Sequence, residues 1–197
     1  MVRKLAADTT LRGKVIPLAF HVDYWDRLGW RDPFSSPDWS RRQSFYVRAL
    51  QLPSGYTPQM VVNGARQFVG SNAGALDAAL AEESKQAPFG TVRVSATRGD
   101  PLKVTVHATV TSDKPTDVML ALVEDGIATK VPAGENAGRT IENDAIVRKL
   151  IRVGTGSTEM TVSISVDKAW NPARLGVVAF LQDRKTLAIR GAAAAHL

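Results

Sequence analysis

Cysteine is absent from all 197 residues. That removes disulfides, thiolate metal sites and thiol chemistry from this chain. Histidine is scarce, with three copies, and His107 and His196 stand alone. No Gly-x-Ser-x-Gly element, zinc motif, phosphate loop or dinucleotide fingerprint occurs. Apolar runs fall far short of a membrane span. Met1–Asp8 turns polar at once, without the apolar segment of a signal peptide. No catalytic residue, cofactor or metal is therefore expected.

What remains is ordinary for a folded chain: 44% apolar and 22% charged residues, enough for one domain or two small ones. The net charge is +6. Its basic residues come as scattered pairs such as Arg3-Lys4, Arg41-Arg42 and Arg148-Lys149. Acidic residues sit among them and no aromatic–basic platform recurs, so the surface reads as solvated and no nucleic-acid partner is expected.

Two textures divide the chain. Up to about Ala87 helix and strand patterns alternate; after Pro88 short strands dominate. Gln86-Ala87-Pro88-Phe89-Gly90 is the expected junction. Met1–Thr10 reads as a helix. Val15–Val22 is almost continuously apolar and is expected to be a buried parallel strand, with Pro17 arguing for an edge position or a strand start. A long loop, Asp23–Pro37, follows. Ser36-Pro37 opens a helix, with Ser as N-cap and Pro at the first position, burying Trp39, Tyr46, Ala49 and Leu50. Met60–Val62 and Gln67–Val69 flank Asn63-Gly64, which accepts positive φ twice and marks a β-hairpin, with Ala65 lengthening the loop. Ser71 is the expected cap of a helix reaching Lys85. The second half carries roughly eight strands, starting at Val92 and Val104, which argue for an antiparallel β-sandwich. Ala192–Ala195 is expected to fray. Gly134–Arg139 reads as a turn.

Two places merit a functional reading. His21 and Asp23 lie two apart, so in a strand they share a face, with Asp26 as the nearest third ligand. That set is short of a metal site. A strand end satisfying its own loop is the plainer account. Thr57-Pro58 enters an apolar strand and a hairpin; a cis bond is expected there, leaving the Thr57 backbone free to pair with an extended peptide by strand addition.

Ala19-Phe20-His21-Val22-Asp23-Tyr24-Trp25-Asp26, Leu28-Gly29-Trp30, Asp32-Pro33-Phe34-Ser35 and Tyr56-Thr57-Pro58-Gln59-Met60-Val61-Val62-Asn63-Gly64 together resemble the domain of unknown function (DUF) 1223 family. So do Asp144-Ala145-Ile146-Val147-Arg148 and Val178-Ala179-Phe180-Leu181-Gln182-Asp183. These are secreted, thioredoxin-like bacterial proteins. The resemblance implies a preceding strand with Gly-Cys-x-x-Cys-Pro-Pro, and Met1–Ala6 matches the later part of the helix after it. It further implies that the absent strand would lie between Val15–Val22 and Met60–Val62.

The fold class expected is α+β: a truncated thioredoxin-like α/β domain over residues 1–87, then an antiparallel β-sandwich over 88–197. The function expected is that of a redox-inert member, at most binding extended peptide or protein at the cis-proline loop through Tyr56, Thr57, Pro58, Asp23 and Trp25. The alternative is a cell-envelope thiol–disulfide oxidoreductase whose Cys-x-x-Cys lies upstream of a mis-assigned start. By resemblance the location is periplasmic or secreted; with no signal peptide, it is cytoplasmic if this start is real.

Overall fold

Period-two alternation decides most of the architecture. The computed structural model describes residues 5, 11, 13–134 and 136–197. Most of the Met1–Thr10 helix expected from sequence therefore lies outside the described residues. Leu5 is helical and packs near Val62, Leu76 and Ala79.

The described strands are β1 (Gln59–Val62), β2 (Arg66–Val69), β3 (Gly90–Thr97), β4 (Leu102–Val110), β5 (Thr116–Glu124) and β6 (Ile127–Lys130). They continue with β7 (Thr140–Asn143), β8 (Ile146–Thr155), β9 (Thr158–Ile164), β10 (Leu175–Asp183) and β11 (Ile189–His196). The helices are α1 (Pro37–Ala49) and α2 (Ala73–Glu83). Every strand-to-strand ladder is antiparallel, so the class is α+β as expected.

A four-stranded sheet, β11-β10-β5-β8, and a three-stranded sheet, β3-β4-β9, share one core. Leu102, Val104 and Val106 meet Val118, Leu120, Leu122, Val177, Ala179 and Leu181 there. In β4 these apolar residues alternate with exposed Lys103 and His107, as one buried face requires. All of β10 is buried. Its even residues Val178 and Phe180 face a second cluster with Ala121, Val123, Val147 and Trp39, joined by Ile16, Leu18 and Phe20. A sheet covered on both sides selects a continuous apolar run instead of alternation.

The helix α1 starts as its sequence dictates. Ser36 caps it, its Oγ accepting from the Asp38 amide at 3.2 Å, and Pro37 takes the first position. Trp39 and Tyr46 are its buried residues, while Ala49 and Leu50 stay half-buried. The hairpin also forms as read. Asn63 and Gly64 have φ of 49° and 67°, and Ala65 extends the loop, donating to the Val62 carbonyl at 3.0 Å. A Cβ on Gly64 would sit 2.0 Å from the Leu187 carbonyl oxygen, so glycine is required for close approach as well as for φ. The peptides before Pro58 and Pro101 are cis.

Four expectations are corrected. Val15–Val22 is extended but forms no ladder: it makes isolated parallel bridges only, Ala19 with Ile146 and Val22 with Ser36. Its apolar side chains are used to cover the four-stranded sheet. The cap of α2 is Asn72, whose side chain accepts from Ala75 N–H, and not Ser71; the helix stops at Glu83, before Lys85. Ala192–Ala195 does not fray. It pairs with β10 in register, Ala192 with Phe180 and Ala195 with Val177; backbone ladders need no large side chain. The second half also holds a strand missed in the sequence, β7, whose Thr-Ile-Glu-Asn pattern is too short and polar to stand out from a loop.

Candidate functional site

Two strand-like edges face a shared space. One belongs to Val15–Val22. There Ala19 N–H donates to Ala145 O at 2.7 Å, Ala19 O accepts from Val147 N–H at 2.9 Å, and His21 O accepts from Ser36 N–H at 3.1 Å. Odd residues are thus spoken for. Among the described residues, the backbones of Leu18 and Phe20, which point the other way, have no hydrogen-bond partner.

The second edge is β1. Gly70 N–H donates to Pro58 O at 2.8 Å, which places the even positions 58, 60 and 62 toward β2. Antiparallel alternation then turns Gln59, Val61 and Asn63 away from it. Asn63 O confirms that direction by accepting from Ile189 N–H at 2.7 Å. Among the described residues β1 pairs only with β2.

Val15–Val22 and β1 are not paired with each other, and both line a cavity of about 1280 Å³. This exceeds the roughly 300–1,000 Å³ usual for a small-molecule pocket. It runs between two apolar clusters. Phe20, Trp39 and Phe180 come from one; Met60, Val62 and Leu76 come from the other.

The five residues expected to bind are partly brought together. Trp25 is 46% exposed, and its Nε1–H donates to Thr57 Oγ1 at 2.9 Å. This joins the Asp23–Pro37 loop to the proline step. Trp25, Thr57 and Pro58 line the mouth of the cavity. Tyr56 and Asp23 do not line it; they brace it. Tyr56 O–H donates to Gln67 Oε1 at 2.5 Å, and its carbonyl accepts from Gln43 Nε2 at 2.8 Å. Gln43 also accepts from Tyr24 O–H at 3.0 Å and bonds Gln59 at 3.0 Å. Asp23 accepts from Ser40 Oγ at 2.5 Å, clamping the loop to α1.

His21 pairs with Asp32, Nδ1 to Oδ2 at 2.6 Å, and not with Asp23. The loop between them turns back, which spacing in the sequence does not reveal. Burial raises the Asp32 pKa, but the His21 hydrogen bond and charge, the Phe34 amide and the Arg148 charge outweigh it together, so Asp32 lies below the usual carboxylate range. Asp26 is occupied too, accepting from Ser35 Oγ at 2.7 Å. Among the described residues no group of three or more His, Asp and Glu is placed to hold a metal.

Arg42 was not singled out in the sequence. Its guanidinium stacks near Phe20, Tyr46 and Phe180, with centroid distances of 5.1, 5.2 and 5.9 Å, and it lines the cavity. Only the Arg42 and Tyr46 spacing of one helical turn was legible beforehand; Phe180 arrives from the far end of the chain.

This geometry defines an α+β protein with an open, largely apolar cavity and no thiol. The family model described as a protein of unknown function (DUF1223) matches residues 1–182, and the chain belongs to that family. A crystal structure of an Agrobacterium tumefaciens protein from a structural-genomics programme is similar to it, with a TM-score of 0.75 and 26% identity, covering 99% of this chain and 84% of that one. A domain of the outer membrane lipoprotein Omp28 from Porphyromonas gingivalis is a weaker match, with a TM-score of 0.34, 16% identity, 54% of this chain and 93% of that one. No curated protein matches. No helix among the described residues is long and apolar enough to cross a membrane.

Proposed function

We propose that this chain is a thioredoxin-like family member that binds extended peptide at the Thr57-Pro58 loop, and does no thiol chemistry of its own. The observation that carries the reading is the Thr57 backbone, which among the described residues has no hydrogen-bond partner and lies beside the exposed Trp25, whose Nε1–H donates to Thr57 Oγ1 at 2.9 Å. An extended peptide laid along it pairs with it by strand addition. Trp25, Thr57 and Pro58 form the contact, with Tyr56 and Asp23 as its braces. Thiol–disulfide exchange needs a thiolate, and this chain has none. Residues 1–87 act as the binding unit and 88–197 as its support; family resemblance supports a place in the cell envelope.

The test is hydrogen exchange of the chain with and without a Val/Thr-rich peptide of about eight residues, a typical strand length. Slowed exchange of the Thr57 amide is expected. Unchanged exchange there under saturating peptide would remove the reading.

A further inference from the structure

The two sheets of the sandwich end in the strands β11, β8, β3 and β9. An edge strand offers a row of backbone donors and acceptors to other chains unless it is blunted. Three of these edges are blunted. β8 shifts register twice against β5 and carries Lys149 and Arg152. Its start is covered by Ala19, whose N–H and carbonyl bond Ala145 and Val147 at 2.7 and 2.9 Å. β3 and β11 close on each other: Phe89 N–H donates to Arg190 O at 2.8 Å, and a Cβ on Gly191 would lie 3.2 Å from Gly90 O. β9 has none of these devices. Its ladder with β4 runs without a register shift, it contains no Pro, Lys or Arg, and among the described residues it pairs with β4 alone. Its single charge, Glu159, lies 3.5 Å from His107 of β4.

The core is open beside this edge. Met160 and Val162 stand opposite the fully buried Val106 and Val104, so they point into the sandwich, yet Met160 is 40% exposed. Ile151 of β8 stands opposite the buried Leu120 and is 36% exposed. Both lie along one seam, because Lys149 Nζ reaches Ser165 O at 2.8 Å and Gly154 packs on Thr158. We propose that a second copy of this chain covers the edge, β9 pairing antiparallel with its own copy about a twofold axis at Thr161, so that the two three-stranded sheets join. The strand Thr-Glu-Met-Thr-Val-Ser-Ile is self-complementary in that register. Met160 faces the partner's Val162 on the core side. On the outer side Thr161 faces the partner's Thr161 and Glu159 faces the partner's Ser163, so no like charges meet. Pairing consumes the edge of both copies, and assembly closes at a dimer. The surface lies on the sandwich and is independent of the peptide reading above.

The experiment is sedimentation equilibrium of the whole chain from about 1 μM to about 1 mM. A monomer–dimer equilibrium is expected, with exchange of the β9 amides slowing as concentration rises. Two substitutions at exposed positions of β9 test the register. Thr161→Lys sets like charges against each other on the axis and should weaken the dimer about two- to fivefold. Ser163→Lys sets a lysine opposite the partner's Glu159, twice per dimer, and should tighten it about two- to thirtyfold, the gain fading in high salt. A dimer that neither substitution moves, or that both weaken alike, overturns the proposal. So does a chain that stays monomeric to about 1 mM. Equal protection of the β9 amides at every concentration also overturns it, because another segment of the same chain would then cover the edge. If either variant fails to unfold cooperatively, the concentration dependence of β9 exchange in the wild type decides alone.

Discussion

Glu124→Gln is the sharpest test of how the two sides of the molecule are held together. Glu124 is 2% exposed. Its Oε2 accepts from Arg148 Nε and Nη2, both at 2.8 Å, while its Oε1 accepts from the Asn171 amide at 2.9 Å. Arg148 in turn stacks over Phe34 and Trp170, at 4.6 and 5.5 Å. The pair therefore ties β5 and β8 to the Asp23–Pro37 loop and to the turn before β10. Glutamine keeps the size and the Asn171 bond, but it cancels the charge and leaves the half-buried Arg148 with only the charge of Asp32 nearby. Breaking a buried pair from one side costs about 3–5 kcal/mol, a large share of the roughly 5–15 kcal/mol that holds a typical domain. For a chain of this size that predicts a Tm lower by about 6–20 °C. Urea unfolding and calorimetry would measure it. The double variant Glu124→Gln with Arg148→Met should recover stability relative to Glu124→Gln alone, because apolar replacement of both partners is often neutral. A single-variant loss under about 1 kcal/mol, or strict additivity in the cycle, would refute the reasoning.

Gly64→Ala should destabilise by more than about 1 kcal/mol, since it meets both a positive φ and the Leu187 carbonyl; chemical denaturation reads it, and a neutral result would mean the hairpin moves freely. Trp39→Ala should cost about 3–5 kcal/mol and remove the edge-on contact with Phe20 at 5.1 Å, seen as lost near-ultraviolet dichroism. The folded pKa of Asp32 is depressed, so its stabilisation is present above its unfolded value, about 3.9, and is lost as pH falls through the lower folded value. Asp32→Asn should flatten the acid side of the stability curve in that window; an unchanged acid limb would contradict it.

Where a pattern was local, the sequence was legible. Ser36-Pro37 placed a helix start because cap and φ are decided within a turn, and Asn63-Gly64 placed the hairpin for the same reason. The alternation of Val104, Val106, Ala108 and Val110 marked a strand without any partner in view. Val15–Val22 was misread because an apolar run reports burial and not pairing; its side chains lie on a sheet over a hundred residues away in sequence. The alanines of β11 carry almost no side-chain signal, and their order comes from β10's backbone. Thr57-Pro58 stood out by its step into a hairpin strand and Trp25 by family resemblance; the hydrogen bond that joins them is visible only in the fold. Arg42 gains its meaning only when α1, Phe20 and Phe180 meet, which no window of the sequence contains.

The four-stranded sheet has no spare face. Gln86–Gly90 looks like a joint between modules, and a gene could be cut there without breaking a single strand. Cutting it would nonetheless strip Val123, Val178 and Phe180 of their cover and leave a greasy plane open to other molecules. The front half is therefore part of the sandwich's own outer wall: Ile16, Leu18, Phe20 and Trp39 are as much its core as the strands they cover.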